Sequence, residues 1–294
     1  MAFLSSDTKR SLPGLLLLAP AVVFLLAWFV WPVLQMLLLS VTSHNVDGVA
    51  VPGWTLENYV RLFTGDLYVR ILLRTLRIAA AACFFSVLFA YPLALAIARG
   101  GPTMARLVTI TIVAPLLVNV VVRAYGWSAI LSRNGALNYV IKALGISESP
   151  PQLLYTEWAV LIACVHVYLP FMVMPLATAI GRIDRSLEEA ARIAGASRVA
   201  TFFKVVLPLS LPGLSVGVSL VFSLSAAAYV MPQILGGNFS PLLGTLIEQQ
   251  VVSLSDWPFG SAISALLIVM VLAINLVFLQ LLNRRFARWT AGAA

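Results

Sequence analysis

Residues 181–208 of this 294-residue chain read GRIDRSLEEAARIAGASRVATFFKVVLP, and this polar segment lies between two long apolar runs. The first run covers Trp158 to Ile180 and the second covers Leu209 to Leu235. Each run is long enough for a helix to cross a hydrocarbon layer of about 30 Å at a rise of about 1.5 Å per residue. The polar segment is therefore predicted to be a loop between two membrane spans.

The composition of the whole chain favours a lipid environment. Hydrophobic residues make up 61% of the sequence and charged residues 10%, whereas soluble domains contain roughly 45–50% and 25%. In lipid, backbone polar groups must be satisfied within helices or closed barrels, and the apolar runs here are continuous rather than alternating. The sequence predicts an all-α polytopic membrane protein with one transmembrane domain over residues 1–294.

Six apolar runs have the length of a membrane span. They are Pro13 to Val41, Ile78 to Ile97, Leu107 to Ile130, Trp158 to Ile180, Leu209 to Leu235, and Ala262 to Leu282. Prolines interrupt most of them, which membrane helices tolerate when neighbouring groups satisfy the freed backbone atoms. We therefore expect six transmembrane helices, several of them kinked.

The basic residues indicate the orientation. Most of the 19 Lys and Arg residues lie on the side that holds the amino terminus and loop 181–208. The positive-inside rule then predicts that both termini and this loop are cytoplasmic. Because the positive charge is spread over span ends rather than gathered in a basic domain, the expected partner is the lipid bilayer and no nucleic acid is expected.

Two short helices are predicted within the loop. Ser186 followed by Glu189 has the capping-box spacing that starts a helix, and Gly195 suits the left-handed residue that ends one. Ser197 can cap a second helix, which is predicted to stop before Pro208. Spacing alone leaves open an amphipathic loop that rests on the lipid headgroups.

A longer pattern runs through the same loop. Glu189-Ala190-Ala191 is followed three residues later by Gly195 and, after nine more residues, by Val205-Val206-Leu207-Pro208. This resembles the EAA motif of binding-protein-dependent ABC importer permeases, E-A-A-x-x-x-G-x(9)-I-x-L-P, with Val205 in place of Ile. The resemblance implies a MetI-like permease of the bacterial inner membrane, in which this loop is a coupling helix that docks on an ATPase. It assigns to ATPase coupling the residues Glu188, Glu189, Ala190, Ala191, Gly195, Ala196, Leu207 and Pro208.

The resemblance also implies partners. They are an ABC ATPase dimer, a second permease subunit expected to be a homologous heterodimer partner, and an extracytoplasmic solute-binding protein. The chain has no G-x-x-x-x-G-K-[ST] phosphate loop, so ATP and Mg are expected on the ATPase partner. We expect no enzymatic activity, no catalytic or metal-binding residue and no bound cofactor in this chain.

Further segments resemble the spermidine/putrescine-type branch of these permeases. They are Thr55-Leu56-Glu57-Asn58-Tyr59, Tyr91-Pro92-Leu93-Ala94, Arg123-Ala124-Tyr125-Gly126-Trp127, Asn134-Gly135 with Asn138, Leu235-Gly236-Gly237, and Asp256-Trp257-Pro258-Phe259-Gly260. The implied solute is a small polar or cationic compound, a polyamine or a related molecule. One departure is Ala226-Ala227-Ala228 before Tyr229, where some members carry an acidic residue. Since no acidic residue lies in the middle of a predicted span, either the partner subunit supplies carboxylates or the solute is not a simple polyamine.

Several residues are candidates for the translocation pathway. Ser215, Ser219 and Ser223 share one helix face, which favours either close helix packing or a wetted route. At the predicted outer end of the third span, interfacial anchoring competes with a pathway role. The candidates are Arg123, Tyr125, Trp127, Ser215, Ser219, Ser223 and Tyr229.

Other polar residues have simpler interpretations. Arg70, Arg74 and Arg77 share a helix face and either reach towards the outer headgroups or receive the binding protein. His166 is predicted to be a hydrogen-bonding group between helices. An ion-coupled secondary transporter acting without an ATPase is the alternative function, but it would place ionisable groups at mid-membrane or show inverted repeats. A membrane-embedded enzyme would need paired titratable residues in the spans.

Overall fold

Long apolar helices dominate the computed structural model, which describes residues 18–44, 50–148 and 150–291. The elements in chain order are α1 (Leu18–Leu39), β1 (Thr42–His44), β2 (Ala50–Trp54), α2 (Glu57–Thr64), α3 (Asp66–Arg99), α4 (Pro102–Val113), α5 (Val120–Leu131), α6 (Ala136–Ala143), α7 (Glu157–Gly181), α8 (Arg185–Ile193), α9 (Arg198–Leu209), α10 (Leu211–Ala226), α11 (Leu243–Glu248) and α12 (Trp257–Ala291). Lys9, Arg10 and the start of the first predicted span at Pro13 lie outside the described residues.

Four helices in the described part of the chain are long and apolar enough to cross a membrane: α1, α3, α7 and the Trp257–Gln280 part of α12. They confirm four of the predicted spans. The helix predicted over Ile78 to Ile97 is longer than expected, because α3 begins at Asp66. Strands β1 and β2 form a small antiparallel hairpin that the sequence did not indicate.

The third predicted span, Leu107 to Ile130, is not one straight helix. The segments Pro102–Leu117 and Val120–Ala143 are bent by 102° relative to each other. Val118 is extended, and the side chain of Asn119 accepts the Val121 N–H at 2.8 Å, so a new helix is capped at this point. An Asn cap satisfies an amide that would otherwise be unpaired at a helix start.

The fifth predicted span, Leu209 to Leu235, is also broken. Helix α10 ends at Ala226, and Tyr229 lies in the irregular stretch that precedes a wide turn at Pro232–Gly236. At the other end of α10, Arg198–Leu209 and Leu211–Ala226 are bent by 70°. If each bent pair counts as one span, the described residues hold up to six spans.

The core is formed by α3, α7 and α10. Met172, Leu176 and Ile180 of α7 are buried in one cluster with Val221 and Phe222 of α10. Glycines on α10 bring the two backbones close together: a Cβ at Gly213 would lie 2.4 Å from the Ala179 Cβ, and one at Gly217 would lie 2.6 Å from the Met172 Sδ. Small residues at such a crossing maximise van der Waals contact between membrane helices.

Polar contacts define the two ends of this core. At one end, Arg74 in α3 pairs with Glu157 at the start of α7 at 3.0 Å and donates to the Pro241 carbonyl at 3.4 Å. At the other end, α3 finishes at Arg99 beside the predicted coupling loop. Residues 227–256 and the loop containing α8 and α9 therefore lie at opposite ends of the helix bundle.

Candidate functional site

The start of helix α8 differs from the prediction. Asp184, rather than Ser186, is the N-cap, and its side chain accepts the Ser186 N–H at 2.9 Å. This hydrogen bond to the backbone lowers the pKa of the Asp184 carboxyl below its ordinary value. The group is therefore ionised at neutral pH, which complements the helix dipole.

The turn after α8 confirms the prediction for Gly195. Its φ is +89°, in the left-handed region that favours glycine. The Gly195 N–H donates to the Arg192 carbonyl at 2.9 Å, and the Ala196 N–H donates to the Ala191 carbonyl at 3.0 Å. This pair of bonds is the Schellman motif, which satisfies the last carbonyls of the helix. Ser197 then caps α9 through the Ala200 N–H at 3.2 Å, also as predicted.

The prediction that the second helix stops before Pro208 is wrong. A widened turn covers Phe202–Val206, where the Leu207 N–H bonds to the Phe202 carbonyl, and helix α9 continues to Leu209. Pro208 lies in the short α-helical segment Leu207–Leu209 that ends α9, directly after the widened turn, where a missing N–H costs little. Since Pro208 is buried and Leu207 is partly buried, these two residues support the bend rather than form an exposed surface. We call residues 181–210 the elbow.

An ion pair fixes the elbow to α3. Arg99 Nη2 lies 2.8 Å from Glu188 Oε1 and also donates to the Ile183 carbonyl at 2.8 Å. Only 18% of the Arg99 side chain and 14% of the Glu188 side chain are exposed. Glu188 is therefore bound by its own chain and is not part of the exposed surface to which its motif position assigns it.

A second contact anchors the bend itself. The Tyr91 hydroxyl of α3 lies 3.1 Å from the Ser210 Oγ, and the Tyr91 ring meets the Phe202 ring edge-to-face with centroids 5.2 Å apart. In the sequence, Arg99 is one of the basic residues that indicate the orientation, and Tyr91 is part of a segment that resembles the spermidine/putrescine-type branch. Both partners are distant in the sequence, so no local pattern could have found these contacts.

The elbow presents an exposed surface to its surroundings. Glu189, Ala190 and Gly195 are exposed, while Ala191 and Ala196 are partly buried. Around them Ile193 is 88% exposed, and the exposed apolar side chains also include Leu187, Val199 and Phe203. Apolar side chains grouped on an exposed bend indicate an interaction surface.

The three serines of α10 make contacts mainly within their own helix. Ser215 is buried, with its Oγ donating to the Pro212 carbonyl at 2.7 Å. The Ser223 Oγ donates to the Ser219 carbonyl at 2.7 Å and accepts from Asn275 Nδ2 at 2.9 Å. The Ser219 Oγ is buried without a hydrogen-bond partner. This face of α10 therefore combines packing contacts with a polar contact to α12.

The aromatic candidates lie after the bend in the third span. Tyr125 is exposed, and Trp127 Nε1 donates to His166 Nδ1 at 3.3 Å, so His166 links two helices as predicted. Arg123 lies beside them, with its Nε and Nη1 buried and without hydrogen-bond partners. Because of the 102° bend, the depth of Arg123 does not follow from a straight helix, although Ala124 still packs with Ala159 and Ala163 near the start of α7.

The three arginines at the start of α3 do not form a free basic patch. Arg74 and Arg77 both pair with Glu157, and Arg70 Nε donates to the Asp66 carbonyl at 3.1 Å. Their positive charge is partly compensated within the chain, which weakens the case for a surface that receives the binding protein.

The helical bundle and its elbow define a polytopic membrane protein with an exposed apolar surface at one end. The chain belongs to the family described as binding-protein-dependent transport system inner membrane component, whose model matches residues 84–290. It is 35% identical over 235 residues, or 79% of this chain and 85% of the relative, to the spermidine/putrescine transport system permease protein PotB of Escherichia coli K12. It is 34% identical over 271 residues to PotB of Haemophilus influenzae, covering 90% of this chain and 94% of that one.

Solved structures show the same fold. A chain of the bacterial ABC transporter that imports the acidic polysaccharide alginate matches with a TM-score of 0.73 at 19% identity, over 95% of this chain and 97% of that chain. A bacterial alginate ABC transporter in complex with an alginate pentasaccharide-bound periplasmic protein gives a TM-score of 0.74 at 18% identity, over 96% of this chain and 98% of that chain. Together with the family match, these relatives confirm that the chain is a multi-pass inner-membrane permease of an ABC importer and is homologous to PotB.

Proposed function

We propose that this permease admits a polyamine, or a related small cationic solute, when an ATPase partner acts on its elbow. The observation that carries the proposal is the fixed geometry of the elbow. Its buried side is held to α3 by Arg99 and Glu188, while Glu189, Ala190 and Ile193 remain exposed. A rigid bend with a free apolar surface is suited to receive a partner and to transmit its movement to the core helices.

The remaining partners follow from the family. The proposed assembly contains an ATPase dimer that binds ATP and Mg, a homologous second permease, and an extracytoplasmic solute-binding protein. In this assembly the present chain carries no catalytic residue and no cofactor, and its termini and elbow face the cytoplasm. The names of the PotB relatives support the choice of solute.

The proposed pathway borders α10 and the outer half of the bundle. Ser219 and Ser223 contribute hydroxyls within the span, and Tyr229 lies in the irregular stretch beyond its outer end. Trp127 contacts α7 on the same outer half, and Arg123 and Tyr125 are its neighbours in α5.

The test is uptake of radiolabelled spermidine by the complete complex in proteoliposomes, with and without ATP. The Ile193→Asp variant should abolish ATPase association and uptake, because it places a charge in the exposed apolar surface. Glu57→Gln, an exposed position in α2 at the opposite end, is the control and should behave like the wild type. Uptake by the permease alone, without ATP or the ATPase, would contradict the proposal and favour the secondary-transporter alternative.

A further inference from the structure

A polar cleft lies at the end of the bundle opposite the elbow. It has a volume of about 460 Å³ and lies between the start of α3 and residues 233–253. Its polar lining includes Gln233, Asn238, Glu248, Gln249 and Ser253. This volume is in the range of sites for small molecules, which are roughly 300–1,000 Å³.

The charge among the described residues that line the cleft is negative only. Glu248, the last residue of α11, is partly buried, and none of the ion pairs among the described residues involves it. The lining contains no Lys or Arg. An unpaired carboxylate in a cleft that is also lined by side-chain amides is suited to an ammonium group, since carboxylates and amide oxygens accept the hydrogen bonds that a protonated amine donates.

The other wall of the cleft is apolar. Leu67 and Ile71 of α3 and Leu246 of α11 line it. A ligand that alternates ammonium groups with methylene segments would place its charge at Glu248 and its carbon chain on this wall. A sugar or an inorganic cation would leave the apolar wall without a partner.

The frame of the cleft is fixed by buried hydrogen bonds. The Leu243 N–H, at the start of α11, donates to Thr75 Oγ1 of α3 at 3.0 Å. The Thr245 hydroxyl accepts the Leu242 N–H at 2.8 Å. Because the first of these bonds joins α11 to α3 and the second caps the start of α11, the carboxylate and the apolar wall keep their relative position, which lowers the cost of ordering the site on binding.

We infer that the Glu248 cleft is a binding site for a linear aliphatic amine that the permease contacts before the solute reaches the spans. The inference rests on the proposed function. It assigns to the cationic solute a carboxylate that lies outside the membrane spans. Most residues that line the site lie within 227–256, the segment that joins the outer end of α10 to α12, and Leu67 and Ile71 of α3 complete the lining.

The first test is the kinetics of ATP-dependent spermidine uptake by the complete complex. Glu248→Gln keeps the shape of the side chain but removes its charge, so KM should rise about tenfold with little change in kcat, as expected for one lost charge-assisted hydrogen bond. Glu248→Asp should recover part of the affinity, and Glu57→Gln should keep the wild-type KM. If the wild-type complex accumulates no spermidine, the proposed function fails. If the wild type accumulates spermidine and Glu248→Gln has the same KM, only the inference about the cleft fails.

The second test does not depend on turnover. Ser253→Cys places a thiol in the cleft, while the native Cys83 and Cys164 are buried. Spermidine should slow the reaction of this thiol with a neutral aqueous reagent, and mannitol should not. The protection should disappear in the Ser253→Cys, Glu248→Gln double variant. Equal labelling rates with and without spermidine in the single variant would overturn the inference.

Discussion

The side chain of Arg99 at the end of α3 holds Glu188 of the elbow through two nitrogen atoms. Nε lies 2.9 Å and Nη2 lies 2.8 Å from the same carboxylate oxygen. The elbow is therefore attached to α3 by side-chain contacts, and its two ends continue into the core helices α7 and α10. We expect a movement imposed on the exposed side of the elbow to reach these core helices.

The Arg99→Ala variant should uncouple the complex. It leaves Glu188 largely buried without its charge partner, which costs about 2 kcal/mol for a charge-assisted contact of this burial. We expect the elbow to move without α3, so ATP hydrolysis should continue while solute uptake falls at least tenfold. Parallel ATPase and uptake assays on the same proteoliposomes measure this ratio.

Arg192→Ala is the matched control for that experiment. Arg192 also approaches Glu188, but at 4.0 Å and with 52% of its side chain exposed, so its loss should change stability by less than about 0.5 kcal/mol. Exchanging the charges, with Arg99→Glu and Glu188→Arg together, should restore part of the coupling. An Arg99→Ala complex that couples as well as the wild type would show that the contact is not used in transmission.

Gly195→Ala should weaken ATPase binding through the backbone alone. A Cβ at Gly195 would meet no atom within 4 Å, but φ is +89°. A left-handed residue with a side chain costs about 1–2 kcal/mol, so the end of α8 should shift or loosen. Asn, which tolerates this region better, should lose less. The ATPase affinity of the complex in detergent measures the effect.

Gly126→Ala provides the comparison for Gly195. A Cβ at Gly126 also meets nothing within 4 Å, and no positive φ is required there. In a helix interior this change should be neutral or stabilising by about 0.5–1 kcal/mol. If both variants bind the ATPase equally well, the left-handed turn has no role in docking.

Hydropathy predicts which segments are long and apolar enough to span a membrane, but it does not predict whether such a segment is straight. Helices α3 and α7 appear as continuous apolar runs in the sequence and as continuous helices in the structure. The run Leu107 to Ile130 looks the same, yet it turns by 102° after Leu117. Residues on both sides of the bend are apolar because both are packed or lie in lipid, so composition does not record direction. The Asn119 cap was the available local signal.

In the elbow too, contacts between residues close in the sequence could be predicted, whereas contacts between distant residues could not. Asp184, Gly195 and Ser197 act within a few residues of their partners, so their roles, or close alternatives to them, follow from the sequence. Glu188 and Glu189 are neighbours that the motif treats alike, but only Glu188 meets Arg99, which is 89 residues away. A single sequence contains no signal for that pairing.

The loss of stability on replacing each α10 glycine with alanine should depend on the free space around that glycine. A Cβ at Gly213 would meet the Pro175 carbonyl oxygen at 2.6 Å as well as Ala179, so both obstacles are rigid. At Gly217 the nearest atom is the flexible Met172 Sδ, although backbone atoms lie at 3.2 Å and 3.3 Å. Gly213→Ala should cost about 2–3 kcal/mol and Gly217→Ala less. Thermal unfolding in detergent should rank them in this order, with Gly181→Ala, where no atom lies within 4 Å, closest to the wild type. The reverse order would mean that α7 and α10 pack differently.

Thiol accessibility should decide between packing and a wetted route for the serine face of α10. Ser223 accepts a hydrogen bond from Asn275 of α12, and a polar pair between two spans favours the presence of water beside it. Ser223→Cys should therefore react with an aqueous thiol reagent in at least one nucleotide state, whereas Ser215→Cys and Ser219→Cys should react more slowly, because Ser215 and the Ser219 Oγ are buried. Native Cys164, which is fully buried in α7, should remain unreactive in every state and provides the internal control. If all three introduced cysteines are as unreactive as Cys164 with and without ATP, the face serves packing alone and the pathway lies elsewhere.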